Sequence, residues 1–310
     1  IDSGGLTNQR WQTKITASDL AAFDTFGSDV SIDFGTDGVY MLISSLQTNG
    51  ATGAAYLYHS KSSEPFYIDS GGLTNQRWQT KITASDGTGG DFLEGVSIVS
   101  GTDGVYMLVG APGADLGGSN RGSSYLFHSK SSDPFYVDSV GATNQKWQTK
   151  ITASDAADND EFGRAVSAVS GTDGIYMVIG SARDDLVGSN EGSSYLFHSK
   201  SGETFYVDSA GAANQKWQTK LTASDAANSD EFGIAVSIVS GTDGIYTLVG
   251  AYLASSSLGE DAGKSYIFHS QSAGVAEQIM SASDGIANQF FGASVSLISS
   301  SVLPGDLYAT

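Results

Sequence analysis

Residues 1–19 read IDSGGLTNQRWQTKITASD, and residues 68–86 repeat the same letters without a change. Close variants stand at 137–155 (VDSVGATNQKWQTKITASD) and at 207–225 (VDSAGAANQKWQTKLTASD). A weaker fifth copy, EQIMSASD at 277–284, keeps the ending and lacks the tryptophan. Trp11, Trp78, Trp147 and Trp217 mark the register, with spacings of 67, 69 and 70 residues. Self-similarity at a fixed period is the mark of a repeat architecture and takes precedence over any single motif.

Each unit carries four strand-like runs, which in the third unit are AVSAVS (165–170), IYMVIGSA (175–182), SSYLFHSK (193–200) and WQTKLTAS (217–224). They are rich in β-branched and aromatic residues and bounded by Gly, Asp, Asn and Ser. Asp173-Gly174 lies between the first two, with Asp37-Gly38, Asp103-Gly104 and Asp243-Gly244 as its counterparts, and Asp-Gly predicts a hairpin turn. The unit therefore reads as a four-stranded antiparallel meander. One such sheet cannot cover both its faces, whereas sheets arranged radially can, which predicts an all-β fold, a β-propeller of four-stranded blades. A linear solenoid is the alternative, but its repeats are usually shorter, about 20–45 residues. The chain opens on a fourth-strand segment (Trp11–Ser18) and finishes with first- and second-strand runs at 293–299 and 306–310. The expectation is a single domain over 1–310 with about five blades, the last complete or short of its third strand, and the ring closed by the N-terminal strand. Its units are 20–86, 87–155, 156–225, 226–284, and 285–310 completed by 1–19. A piece of a larger ring fits the same pattern, and a start at Ile1 rather than Met is expected of a processed or truncated product.

Bulk properties narrow the function. Fifteen Lys and Arg against 34 Asp and Glu give a net charge of −19, which repels phosphate backbones and anionic lipid surfaces. Nucleic-acid partners and membrane insertion are therefore not expected. No apolar run approaches the roughly 20 residues needed to span a bilayer. There is no cysteine, so neither disulfides nor thiolate chemistry is available.

The unit resembles the FG-GAP repeat of integrin α-subunit propellers and related secreted proteins. Its FG element stands as Phe26-Gly27, Phe162-Gly163, Phe232-Gly233 and Phe291-Gly292, with FLEG at 92–95 in the second unit. Its GAP element is complete at Gly110-Ala111-Pro112 and varied at Gly180-Ser181-Ala182, Gly250-Ala251-Tyr252 and Ile43-Ser44-Ser45. The resemblance implies an extracellular or cell-surface adhesion module. One departure concerns calcium: family members often carry an Asp-rich loop between the first two strands, and here that loop is SGTDG with the single carboxylate of Asp173. Calcium takes six to eight oxygen ligands. No cofactor or metal is therefore expected, beyond weak cation binding at acidic loops.

Two recurring residues read as structural. His59, His128, His198 and His269 hold one place in the repeat, so they are spread around a ring rather than gathered on one ion. The recurring tryptophans read as packing between blades rather than as sugar platforms. Most informative are the loops joining strands 2 to 3 and 4 to 1, which open on one face and differ most between copies. They carry Asp115, Arg121, Asp158, Asp160, Glu161, Arg183, Asp184, Asp185, Glu191, Asp230, Glu231, Glu260 and Asp261, the candidate binding residues. Variable loops on a fixed scaffold suit a binding face. No catalytic motif stands out, and no enzymatic activity is expected. The sequence thus predicts a non-catalytic adhesion or structural surface module for a protein or glycan partner. A carbohydrate-binding lectin and a subunit of an extracellular fibre or appendage are the alternatives.

Overall fold

The computed structural model describes residues 15–36, 38–61, 79–115, 117–130, 148–200, 219–256, 259–271, 274–299 and 307–309. Apart from one helical turn, α1 (Thr48–Ala51), the regular elements among them are strands. The first sheet is formed by β1 (Phe26–Gly35), β2 (Gly38–Ser45), β3 (Ala54–Lys61) and β4 (Gln79–Ile82). The second holds β5 (Val96–Gly101), β6 (Gly104–Ala111), β7 (Ser123–Lys130) and β8 (Gln148–Ile151). The third holds β9 (Val166–Gly171), β10 (Gly174–Ser181), β11 (Ser193–Lys200) and β12 (Thr219–Leu221). The fourth holds β13 (Ala235–Ser240), β14 (Ile245–Ala251), β15 (Lys264–Gln271) and β16 (Gly274–Met280). Each is an antiparallel meander in chain order, as the alternation of strand runs and turns requires. A two-stranded sheet of β17 (Leu297–Ser299) and β18 (Leu307–Ala309) follows.

The hairpin register refines the turn. Gly171 pairs with Gly174, so Thr172 and Asp173 are the two loop residues, and Gly174 closes the turn at φ +144°.

The first strands stand side by side in chain order: β1 beside β5, β5 beside β9, β9 beside β13 and β13 beside β17. Side chains bridge them. The Ile98 N–H donates to Ser31 Oγ (3.1 Å), the Ala168 N–H to Ser97 Oγ (3.0 Å) and the Leu297 N–H to Ser237 Oγ (2.9 Å). Consecutive sheets also share their cores. Leu42, Leu57 and Ile82 of the first sheet pack with Met107, Val109 and Phe127 of the second. On the opposite face of β6, Leu108 packs with Met177, Ile179 and Phe197 of the third sheet. Central strands are therefore buried on both faces, which explains their near-continuous apolar sequence. This arrangement fits a β-propeller.

The FG and GAP residues lock one sheet to the next. The Gly163 N–H donates to the Gly180 carbonyl of its own sheet (2.9 Å), while its α-carbon lies against Ser123 and Ala111 of the preceding one. A Cβ there would strike the Ser123 carbonyl, and φ is +101°, so glycine is required twice over. In the FLEG variant Leu93 fills the buried place of the phenylalanine, and the Glu94 N–H takes over the bond to the Gly110 carbonyl (2.9 Å). The Gly110 N–H then donates to Gly95, whereas the Gly180 N–H donates to Ala165, so the second unit is one residue shorter here.

The expected count of about five blades is met in part. Four complete four-stranded sheets are present among the described residues, not five, and the fifth has two strands. The closing strand was expected at Trp11–Ser18. Residues 15–18 form no strand, and 1–14 lie outside the described residues, as do all four tryptophans.

Candidate functional site

The variable loops form one stitched edge. The 4–1 loop entering the third sheet bonds to the 2–3 loop of the second: the Asn159 N–H donates to Ser119 O (2.7 Å), Glu161 N–H to Asn120 O (3.1 Å) and Phe162 N–H to Arg121 O (3.2 Å). One sheet further on, Ser229, Glu231 and Phe232 donate to Ser189, Asn190 and Glu191. Asn288 and Phe290 donate likewise to the carbonyls of Glu260 and Asp261. Loops that vary in sequence are thus held by backbone groups, which no side-chain change alters. Glu161 and Glu231 sit at φ +54° and +52°, immediately before the FG phenylalanine.

Several candidate carboxylates are internal struts. Asp160 is buried and accepts from the Ala157 N–H (2.6 Å); Asp230 is buried and accepts from Ala227 (2.9 Å). Asp24 and Asp91 do the same at Ala21 and Thr88, and Gln289 substitutes at Ile286. Asp184 is buried among Ser193 Oγ, the Tyr195 phenol (3.1 Å) and Lys220 Nζ (2.6 Å). Glu191, also buried, turns back to accept from Leu186 (3.1 Å), Val187 (3.3 Å) and Gly188. Burial pushes its carboxyl up, but these backbone bonds prevail and hold it below the ordinary range. Satisfied in this way, a buried carboxylate serves the loop that holds it.

The remaining candidates lie nearer solvent. Exposed Asp115 and Asp185 accept from Asn120 and Asn190 N–H, each at 2.7 Å. Arg121 donates to exposed Asp158 at 2.8 Å, and the guanidinium, with the Ser119 N–H, holds that carboxyl below its usual range. Glu260 is exposed and Asp261 half-buried at the loop leading into β15. Glu231 is half-buried and lies close enough to Tyr252 to raise the phenol, whose burial is the larger cause.

Glu161 and Arg183 belong to a different arrangement. Arg183 donates to one Glu161 oxygen (2.7 Å) and Arg164 to the other (2.9 Å), while Arg164 Nε stands 4.0 Å from Glu94. Beside them opens a cavity of about 300 Å³ lined by Phe92, Glu94, Pro112, Asn120, Glu161 and Arg164 among others. Burial pushes the Glu94 carboxyl up; Arg164 opposes this, and Glu161 and Asp29 reinforce it. The cavity sits where the second unit is one residue short. The candidate residues did not include Glu94 or Arg164. FLEG was the available signal, since it places a carboxylate where the other copies have glycine.

The four histidines stay with their own sheets. His59, His128, His198 and His269 stack on Tyr40, Tyr106, Tyr176 and Tyr246 with ring centroids 3.9–4.0 Å apart. Among the described residues that tyrosine also donates to the turn aspartate in three sheets, as from Tyr176 to Asp173 at 2.8 Å. Each trio pins its hairpin.

No curated protein matches the chain. The FG-GAP repeat matches residues 10–58, 77–127, 146–197 and 216–268. Each span takes in the first three strands of one sheet, β1–β3, β5–β7, β9–β11 and β13–β15, with GAP at the end of the second, and the chain belongs to the FG-GAP repeat family.

Proposed function

We propose that this protein is a non-catalytic binding module of the cell exterior, which holds a protein or glycan partner through its 2–3 and 4–1 loops. The observation that carries this reading is the cavity of about 300 Å³ lined by Glu94, Glu161 and Arg164, with Arg183 bonded to Glu161 behind them. Backbone hydrogen bonds fix the loops that present these charges, so a partner meets a preorganised surface. FG-GAP repeats are often adhesion-related, and the excess of carboxylates favours partners that present cationic or hydroxyl groups over polyanions. Function of this kind needs no cofactor and no chemical step.

The test is capture on arrays of glycans and extracellular-matrix proteins by the intact chain and by the double variant Arg164→Gln, Arg183→Gln. Capture should fall by about tenfold or more, as for central charged residues of an interface. The melting temperature should hold, because half-exposed ion pairs contribute about 1 kcal/mol or less. Failure to capture anything, or capture that ignores these and all other changes on the loop face, would dispose of the reading.

A further inference from the structure

The cavity beside Glu94 holds a carboxylate that no donor serves. Glu94 is half-buried, yet among the described residues its side chain accepts no hydrogen bond. Arg164 Nε stands 4.0 Å away, beyond hydrogen-bond reach, because that guanidinium is turned to Glu161 at 2.9 Å. Burial, the main cause that pushes the Glu94 carboxyl up, marks an acceptor withdrawn from water. Buried Asp160, Asp184 and Glu191, by contrast, each receive donors from the protein around them. An acceptor left open in this way costs stability unless something fills it.

Three consecutive sheets build the walls. Leu46 and Gln47 follow β2, Phe92 precedes β5, Pro112 follows β6, and Arg164 precedes β9. Leu46, Phe92 and Pro112 are apolar, whereas Gln47 and Asn120 bring amides that both donate and accept. The charges balance, with Glu94 and Glu161 set against Arg164 and Arg183. Phe92 sits at φ +50°, the left-handed position that Glu161 takes at +54° in the third unit. Gly113 has Arg183 as its counterpart there, and Arg183 bonds to Glu161 at 2.7 Å. What is an ion pair in the third unit is thus an aromatic ring and a bare glycine in the second. A Cβ on Gly113 would strike the Gly90 carbonyl, so the position stays bare.

We propose that this cavity takes one neutral pyranose unit of a glycan, with a ring face on Phe92 and a hydroxyl between Glu94 and Arg164. The inference rests on the reading of the cavity as the binding site and narrows its ligand. A hydroxyl donates and accepts at once, so it can bridge a carboxylate and a guanidinium 4.0 Å apart. A cationic ligand would meet Arg164 and an anionic one Glu94 and Glu161, so charges that cancel favour neither. The C–H groups of a sugar ring suit the apolar wall, and the amides of Gln47 and Asn120 offer partners to further hydroxyls. A volume of about 300 Å³ lies at the small end for a ligand site, which fits one ring rather than several.

Titration of the whole chain with a panel of neutral methyl glycosides (hexoses, 6-deoxyhexoses and N-acetylhexosamines), followed by ligand-observed NMR, tests this. At least one should bind with a dissociation constant of about 1 mM or tighter. Glu94→Gln and Phe92→Ala should each weaken it by about tenfold, through the lost charged acceptor and the lost ring face. Thermal melts check that both variants fold, and Glu94→Gln, which keeps the side chain's shape, decides alone if Phe92→Ala does not. Hexosamines and hexuronic acids, which add a cation or an anion, should bind about tenfold more weakly than their neutral counterparts. No binding by about 20 mM overturns the inference. So does binding indifferent to the substitutions, or binding of the charged sugars as tight as that of the neutral ones. Matrix proteins captured through Arg164 and Arg183 without any glycoside binding would overturn it and leave the binding role standing; capture of nothing as well would remove both.

Discussion

The phenol of Tyr195 donates a 2.8 Å hydrogen bond to the carboxylate of Asp155, although the two residues belong to neighbouring units. Asp155 ends the TASD sequence beyond β8, while Tyr195 lies on β11; Lys220 of β12 reaches the same carboxylate at 2.7 Å. Tyr56 and Lys81 hold Asp19 in this way, and Tyr125 and Lys150 hold Asp86. The recurring aspartate is thus a clasp that ties the end of one sheet to the third and fourth strands of the next. A buried phenol gains a partner, and a carboxylate gains two donors.

Replacing Tyr195 with Phe removes the single O–H that exposed Asp155 and buried Asp184 share. The expected loss is about 1–3 kcal/mol, the usual effect of leaving a buried acceptor short of a partner. Urea unfolding measures it, and a loss under about 0.5 kcal/mol would show that the clasp contributes little.

The fourth sheet makes the clasp differently. Ile279 stands opposite Tyr266 where Lys220 stands opposite Tyr195, and Lys264 on β15 supplies the ammonium to Asp225 at 2.7 Å. Lys264→Ser should therefore destabilise by about 1 kcal/mol, and adding Ile279→Lys should restore most of the loss. Thermal unfolding of the two variants decides; no recovery in the double variant would mean that the two lysine positions are not equivalent.

Gly163→Ala drives a methyl into the Ser123 carbonyl at a φ of +101°. Backbone cannot yield as a side-chain end can, so the cost should exceed about 2 kcal/mol. Gly117→Ala is the control, with φ +79° and open space around it, and should cost about 1 kcal/mol. Equal losses in the two variants would contradict the close contact between sheets.

Acid should first stabilise the fold and then destabilise it. Burial above all pushes Asp160 up to about 6, against the bond from Ala157. Burial raises Asp230 as well. A carboxyl that binds its proton more readily when folded gains stability as pH falls from above 6 towards the unfolded value of about 4. Asp19, Asp86, Asp155 and Asp225 oppose this. Burial raises them, but bonds from lysine and tyrosine outweigh it and hold them low. Their contribution is complete above about pH 4 and is lost as pH falls through their folded values. The melting temperature should therefore peak between about pH 4 and 6, and Asp160→Asn should flatten the rise between 7 and 5. A melting temperature that falls steadily from pH 7 to 5 would refute the assignment.

Much of the architecture was legible because a repeat reports its own period: the strand runs, their order and the turns follow from alternation and glycine placement, which are local properties. The roles of Asp160, Asp184 and Glu191 were not, since an aspartate that braces its own loop and one that faces a partner are the same letter. Burial separates them, and burial depends on which sheet lies alongside. The same holds for the clasp, whose residues stand about 40 positions apart in the chain. Sequence by itself determined the four-stranded unit and its repetition. Tertiary structure alone decided which carboxylates are struts, and that Glu94 and Arg164 join Glu161 beside a cavity. Strand and turn preferences act between near neighbours, whereas these outcomes arise from the stacking of one sheet on another.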